Sequence, residues 1–176
     1  QAEIDRAKQR AQEYDWARKR LDAILAAGET ALEMEIDVPD EGGQWSHHYV
    51  CTECGVGLKT ESPTEHVCRR CGKVHTGWPW DQVVIGRQHH RLTGAVEDLG
   101  LAYAFTGDVA YAEKAREILL AYGEKYRSFP LHNVRGHESN SAGRLFAQTL
   151  DEAVRIIGVA WGYDLLLPSG VFSEAD

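Results

Sequence analysis

Ile4, Ala7, Ala11, Tyr14, Ala17, Leu21, Ile24 and Leu25 recur at steps of three and four, the period of one helix face. Asp5, Lys8, Gln9, Gln12, Lys19 and Asp22 fill the opposite face. The pattern predicts one helix over about Ala2 to Ala27, stopped by Gly28. From Glu29 to about Trp80 no helical stripe survives. That stretch holds six of the 17 glycines, three of the five prolines, three of the five tryptophans and all four cysteines. His48-Tyr49-Val50 and Glu65-His66-Val67 each run into a cysteine pair, which predicts an irregular lead-in followed by two short hairpins.

Helical period then returns. Leu92, Val96, Leu99 and Tyr103 form one stripe that ends near Thr106-Gly107. Asp108 is placed to cap the next helix, whose stripe is Ala112, Ala115, Ile118, Leu119, Tyr122 and Tyr126. So short a link favours antiparallel packing of the two. A polar loop follows over Arg127 to Asn140, with Pro130, Gly136 and two histidines. A last helix is expected over about Ser141 to Leu167, ended by Pro168, with Leu145, Thr149, Leu150, Ala153, Ile156, Ile157, Ala160, Trp161 and Leu165 on its stripe. Its apolar positions are broad enough to predict burial on most sides. Ser173 with Glu174, Ala175 and Asp176 reads as an N-cap and first acidic turn, so a longer protein is expected beyond Asp176.

A chain of 176 residues holds about one domain, or one body with a small insert. Lys+Arg total 19 against 27 Asp+Glu, a net charge of −8 that disfavours nucleic-acid binding through the surface at large. No apolar run reaches the roughly 18–20 residues of a membrane span. The amphipathic start from Gln1 to Arg6 has no apolar leader core, and a cleaved leader leaves no trace, so export stays open.

Cysteine spacing changes the picture most. Cys51-x-x-Cys54 and Cys68-x-x-Cys71 stand 13 residues apart, the pattern of a tetrahedral four-thiolate zinc site. Gly55 and Gly72 follow the pairs, where a freely turning backbone lets amide groups point at sulfur. Such a site is closed, so its expected role is to fold a segment too small for its own core. A pair of disulfides and a redox pair are the competing readings. His66 and His75 flank the cysteines and are expected not to bind the metal.

Eight histidines include the adjacent pairs His47-His48 and His89-His90. Neighbours on a helix point about 100° apart, so at most one of a pair faces a given site. His137 lies among Arg135, Glu138, Asn140 and Arg144, just before the predicted last helix, a place suited to holding a carboxylate. Gln148, Glu152 and Arg155 share one helix face, either as a solvated face with a Glu152–Arg155 pair or as a buried polar stripe that needs partners. Trp45, Tyr49, Trp78 and Trp80 could stack on sugar rings; packing against the helices is the plainer reading.

The run Asp98-Leu99-Gly100-Leu101-Ala102-Tyr103, then Thr106-Gly107-Asp108, Tyr111-Ala112 and Ile118-Leu119-Leu120-Ala121-Tyr122, resembles the early helix pair of uronic-acid polysaccharide lyases. So does the stretch from Arg144 through Gln148-Thr149-Leu150-Asp151-Glu152-Ala153, followed by Trp161-Gly162-Tyr163-Asp164-Leu165-Leu166. The group is the heparinase II/III-like and alginate-lyase-like superfamily, resembled well over about Trp80 to Leu167.

The resemblance implies a mainly α fold: antiparallel helical hairpins forming part of an (α/α) toroid, with a small four-cysteine zinc ribbon inserted after the first helix. The corresponding segments are 1–45, the ribbon 46–80, and helical hairpins over 81–176. It also implies β-elimination on a uronic-acid polysaccharide, with the catalytic Asn–His and Tyr groups beyond Asp176 and a secreted or periplasmic setting. Gln148 matches the family pattern and is the first candidate for substrate binding, with Arg144 and His137 added from position and chemistry. A polyanionic substrate requires that Arg87, Arg91, Arg135 and Arg144 concentrate positive charge in a cleft. Two other readings stand beside it. One is a non-catalytic glycan- or protein-binding helical module with a structural zinc ribbon. The other is a zinc-ribbon nucleic-acid adaptor, favoured by Arg69, Arg70 and Lys73 and opposed by the overall acidity.

Overall fold

In the computed structural model, which describes residues 2–173, the first helical stripe is divided in two: α1 (Ala2–Glu13) and α2 (Asp15–Leu32). The single long helix expected here is thereby corrected. Tyr14 is extended, with φ −126° and ψ 128°, and Asp15 opens a new first turn where a carboxylate meets the positive helix end. Ala11, Tyr14 and Ala17 keep helical spacing across the break, so period alone gives no sign of it.

Gly28 does not stop the helix either. It lies inside α2, and a Cβ added there would run into the Cβ of Ala102 and meet the Tyr111 ring at 3.4 Å. The missing side chain is a packing requirement, and α2 continues past it to Leu32.

A short 3-10 turn (Ser46–His48) leads into three strands, β1 (Leu58–Ser62), β2 (Glu65–Cys68) and β3 (Val74–His75). They form one antiparallel sheet in the order β1-β2-β3, with Leu58 opposite Cys68, Thr60 opposite His66, and His66 opposite His75. Three long helices follow: α3 (Trp80–Thr106), α4 (Val109–Lys125) and α5 (Thr149–Leu166). Asp108 caps α4 as its position predicts, its Oδ1 accepting from the Ala110 N–H at 3.0 Å. α5 begins at Thr149 rather than near Ser141, for a reason found in the Glu152 side chain below. The protein is thus mainly helical with one small sheet. No described helix is long and apolar enough to cross a membrane.

The chain divides into two compact units. One comprises the residues up to Asp37, Leu92–Tyr122 and those from Ile156 on. Its core is helical: Leu92, Leu99, Ala102, Ala112, Ala115, Ile118 and Leu166 are wholly buried. The other comprises Val38–Arg91 and Gly123–Arg155 and holds the sheet, the cysteines and most of the irregular chain. Its buried residues are mixed, with Phe129, Leu145 and Phe146 beside Gln44, His66, His89 and Glu152.

The expected burial of α5 on most sides is not met among the described residues. Leu150 is 70% exposed and Trp161 66%, and Val154 and Ile157 between them are also exposed. At steps of four, three and four these residues form one apolar stripe. Beyond the helix, the expected cap is described only up to Ser173, and the rest of that turn lies outside the described residues.

The Gly28 contact makes a test. Gly28→Ala is expected to lower unfolding free energy by about 1–3 kcal/mol, the usual cost of forcing a methyl into a filled space. Gly94→Ala, inside α3 with nothing within 4 Å of its added Cβ, is expected to raise it by about 0.4–1 kcal/mol. Chemical denaturation of the two variants side by side checks both signs.

Candidate functional site

Two knuckles bring the cysteines together. After Cys51, Gly55 turns with φ 63° and returns its N–H to the Cys51 carbonyl at 2.9 Å; after Cys68, Gly72 does the same with φ 73° at 3.0 Å. The positive φ is the reason for glycine at both places. The four Sγ atoms lie within 4.8 Å of one another, with those of Cys51 and Cys71 at 3.8 Å. A tetrahedron of sulfurs about 2.3 Å from a metal has edges of about 3.8 Å, so the donor set fits a bound cation. Backbone N–H groups of Arg70 and Cys71 point at the Cys68 sulfur, at 3.4 and 3.5 Å. The Cys71 amide foremost pulls the Cys68 thiol down to about 6, whereas the neighbouring sulfurs, Cys71 first, push Cys54 up to about 12. Four crowded thiols cannot all ionise without a positive charge among them. Lys73 and Glu53, one beside each knuckle, pair across the outside at 2.7 Å.

The sheet is fastened to the start of α3 by polar groups as much as by apolar ones. Tyr49, Cys51, Leu58, Cys68 and Val83 form its small core, with Trp80 and Val84 against it. His66, wholly buried, bonds Tyr49 Oη through Nδ1 at 2.7 Å and Asp81 Oδ1 through Nε2 at 2.8 Å. The Tyr49 hydroxyl also meets Thr60 Oγ1, and Thr60 Oγ1 accepts from the Arg87 guanidinium at 3.2 Å. Arg87 lies over the Tyr49 ring, 4.0 Å from its centre. Asp81, His66, Tyr49, Thr60 and Arg87 are therefore one continuous chain of contacts that leaves α3 and returns to it two turns later. Both ring nitrogens of His66 are thus engaged in this fastening. Of the aromatic residues near the cysteines, Tyr49 is buried and Trp80 half-buried in the packing, while Trp78 is exposed.

A second polar centre organises the segment before α5. Glu152 is buried, and its Oε2 accepts the N–H groups of Arg144, Leu145 and Phe146 at 2.6, 2.9 and 3.4 Å. Its Oε1 accepts from the Tyr126 hydroxyl, and burial together with that carboxylate pushes the tyrosine up to about 12. Residues 144–146 give their amides to this side chain and so do not continue the helix, which starts at Thr149. A solvated Glu152–Arg155 ion pair is therefore corrected: the partners of Glu152 are backbone amides and a phenol.

The candidates named from sequence fall in different places. Gln148 is half-buried at the start of α5, its carbonyl accepting the Glu152 N–H at 3.1 Å. Arg144 donates to the carbonyl oxygens of Arg127 and Phe129 and braces that loop. His137 is exposed in a turn closed by Asn133, whose side chain accepts the His137 N–H at 3.2 Å. It stands well before the helix start rather than beside it.

Arg87, His90, Asp151 and Arg155 instead meet in a cleft of about 590 Å³, together with Gln44, Ser46, Val83 and Phe146. The lead-in enters it through backbone bonds from Gly43 N–H to Leu145 and from Gln44 N–H to Gln82, both 2.8 Å. His89 and His90 part as their helical angle requires. His89 is wholly buried against Phe129 and Phe146 and bonds the Glu41 carbonyl at 2.9 Å, while His90 lines the cleft. Burial holds both below the usual imidazole range, with Arg155 adding to the effect at His90. Arg87 is legible in the sequence as a cation for such a cleft; its companion Arg155 is hidden there by the apparent pairing with Glu152.

No family model matches the chain. Over 80 residues it is 40% identical to an exo-oligoalginate lyase of Saccharophagus degradans, and over 80 residues 36% identical to an alginate lyase of Stenotrophomonas maltophilia. The aligned stretches make up 46% and 45% of this chain but only 11% and 10% of those relatives. The chain thus spans a small part of the polysaccharide lyases it is similar to.

His89 gives a pH test. Its folded pKa is depressed by burial, so below the ordinary histidine range the unfolded chain takes up a proton that the folded chain refuses. Stability is expected to fall as pH drops from about 7 toward about 5. The nearby Glu152 charge opposes the effect and His132 adds to it. Replacing His89 by Gln is expected to flatten that slope in denaturation curves taken at each pH.

Proposed function

We propose that the chain is part of a polysaccharide lyase that cleaves a uronic-acid-containing polysaccharide by β-elimination. The 40% identity to an exo-oligoalginate lyase carries this reading. In that chemistry a base removes the proton on C5 of a uronate, a cationic or amide side chain neutralises its carboxylate, and an acid protonates the departing O4. The helices form part of an (α/α) toroid of antiparallel hairpins, with a ribbon over 46–80 inserted between 1–45 and 81–176. Catalytic groups belong to the rest of a longer protein, which is secreted or periplasmic. Gln148 is the leading substrate contact on this chain, with Arg144 and His137 as the weaker candidates. Acidic polysaccharide and the rest of its own chain are then its partners, and nucleic acid is not.

The test is unsaturated-uronate absorbance with alginate, heparan, hyaluronate and glucuronan, run on this chain and on the longer protein. Activity in the longer protein alone is expected. Activity in this chain alone would move the chemistry onto His137, Asn140 and the local tyrosines. No elimination by either, on any polymer, overturns the lyase in favour of a binding module.

We assign zinc to Cys51, Cys54, Cys68 and Cys71, on the strength of four clustered sulfurs, amide groups aimed at one of them and glycine-turned knuckles. The metal's part is structural: it gathers the charge of the thiolates and closes both knuckles. One zinc per chain is expected by elemental analysis. Chelation is expected to abolish amide protection over residues 46–80 while that of Leu92–Tyr122 persists; uniform loss would make the metal central to the whole fold instead.

A further inference from the structure

We propose that the cleft lined by Arg87 and Arg155 is a subsite for a carboxylate-bearing sugar unit, and that the cysteine-bearing sheet aims Arg87 into it. The sugar part rests on the lyase reading; the anion and the aiming rest on the cleft itself.

Charge is the first argument. Two arginines and one carboxylate residue, Asp151, line the cleft, an excess of one positive charge on a chain whose net charge is −8. His90 adds no charge near neutral pH, because burial and Arg155 hold it in the neutral form. Neither arginine is neutralised by a partner. Arg87 is held by the Tyr49 ring and the Thr60 hydroxyl, both uncharged, and Arg155 makes no ion pair among the described residues. A guanidinium fixed by neutral partners keeps its charge and most of its five donors for a ligand.

Shape and chemistry narrow the ligand. A planar carboxylate matches the guanidinium fork through paired hydrogen bonds. Asp151 and Ser46 can accept from or donate to hydroxyls, over a floor to which the buried Phe146 and Val83 belong. Cations beside hydroxyl partners suit an acidic sugar better than a bare anion.

The aiming follows from connectivity. Thr60 belongs to β1 and Tyr49 to the core shared with Cys51 and Cys68. Both side chains that fix Arg87 therefore ride on the segment that the sulfurs close. Thr60 is a positioning residue: it touches the arginine and acts through it.

Calorimetric titration of the intact, zinc-loaded chain with a saturated mannuronate trisaccharide tests this. Its carboxyl-reduced neutral counterpart and sodium acetate serve as the other arms. The acidic trisaccharide is expected to bind at least about tenfold more tightly than the neutral one, the scale of one charge-assisted hydrogen bond. Acetate should compete only at far higher concentration. Arg155→Gln should weaken binding about tenfold with the melting temperature unchanged, and Arg87→Gln should weaken it as much with zinc content unchanged. Thr60→Val should weaken it severalfold with zinc content unchanged, and Thr60→Ser should restore it.

Equal affinity for the neutral trisaccharide, or acetate binding as tightly, overturns the uronate assignment. No binding of any saccharide overturns the subsite, and elimination by the longer protein still decides the lyase reading separately. Unaltered affinity in Thr60→Val overturns the aiming.

Discussion

Burying a carboxylate is expensive unless donors replace the water it loses, and Glu152 is supplied with three backbone amides and a phenol. Much of the second unit follows from that requirement. The segment from Tyr126 to Gln148 has one short 3-10 turn and little other regular structure, so few of its amides are satisfied by ladders or helices. One side chain gathers three of them at a point. In doing so it bends the chain away from helix, delays α5 to Thr149, and presents Phe146 as a wall of the cleft.

The facing side of the cleft is made by other means. The sheet has few large apolar residues, and its strands are five, four and two residues long. Segments of this size do not bury enough surface to hold themselves. Sulfur closes one end, and a buried imidazole between a phenol and a carboxylate anchors the other to α3. Because Asp81 and Arg87 lie on the same helix, the anchor that holds the sheet also decides where one cleft cation sits. The cysteine cluster and the cleft are thereby mechanically linked, although no cysteine lines the cleft.

The residues were readable to different depths. Cysteine spacing and the glycines behind each pair disclosed the cluster, because a two-residue gap on a tight turn is a local geometric fact. The helices from Leu92 to Lys125 were readable because their apolar faces are buried at regular period. The break at Tyr14 was not, since one extended residue leaves the spacing of Ala11 and Ala17 intact. Glu152 misled for a physical reason: three residues from Arg155, it has the spacing of a surface pair, yet its amide partners lie six to eight residues back in the chain. Arg155 and the route from Asp81 through His66 to Arg87 depend on contacts between distant segments, which no local pattern records.

The apolar stripe on α5 has a colloidal consequence. Leu150, Val154, Ile157 and Trp161 present to water a strip of the kind that proteins hide or use for association. Against it stands a net charge of −8, which makes copies of the chain repel one another across solution. Salt shortens the reach of that repulsion to about 8 Å at physiological strength and leaves the apolar attraction intact. The chain's tendency to self-associate therefore grows with ionic strength, opposite in sign to the salt response of an acidic ligand held by arginine.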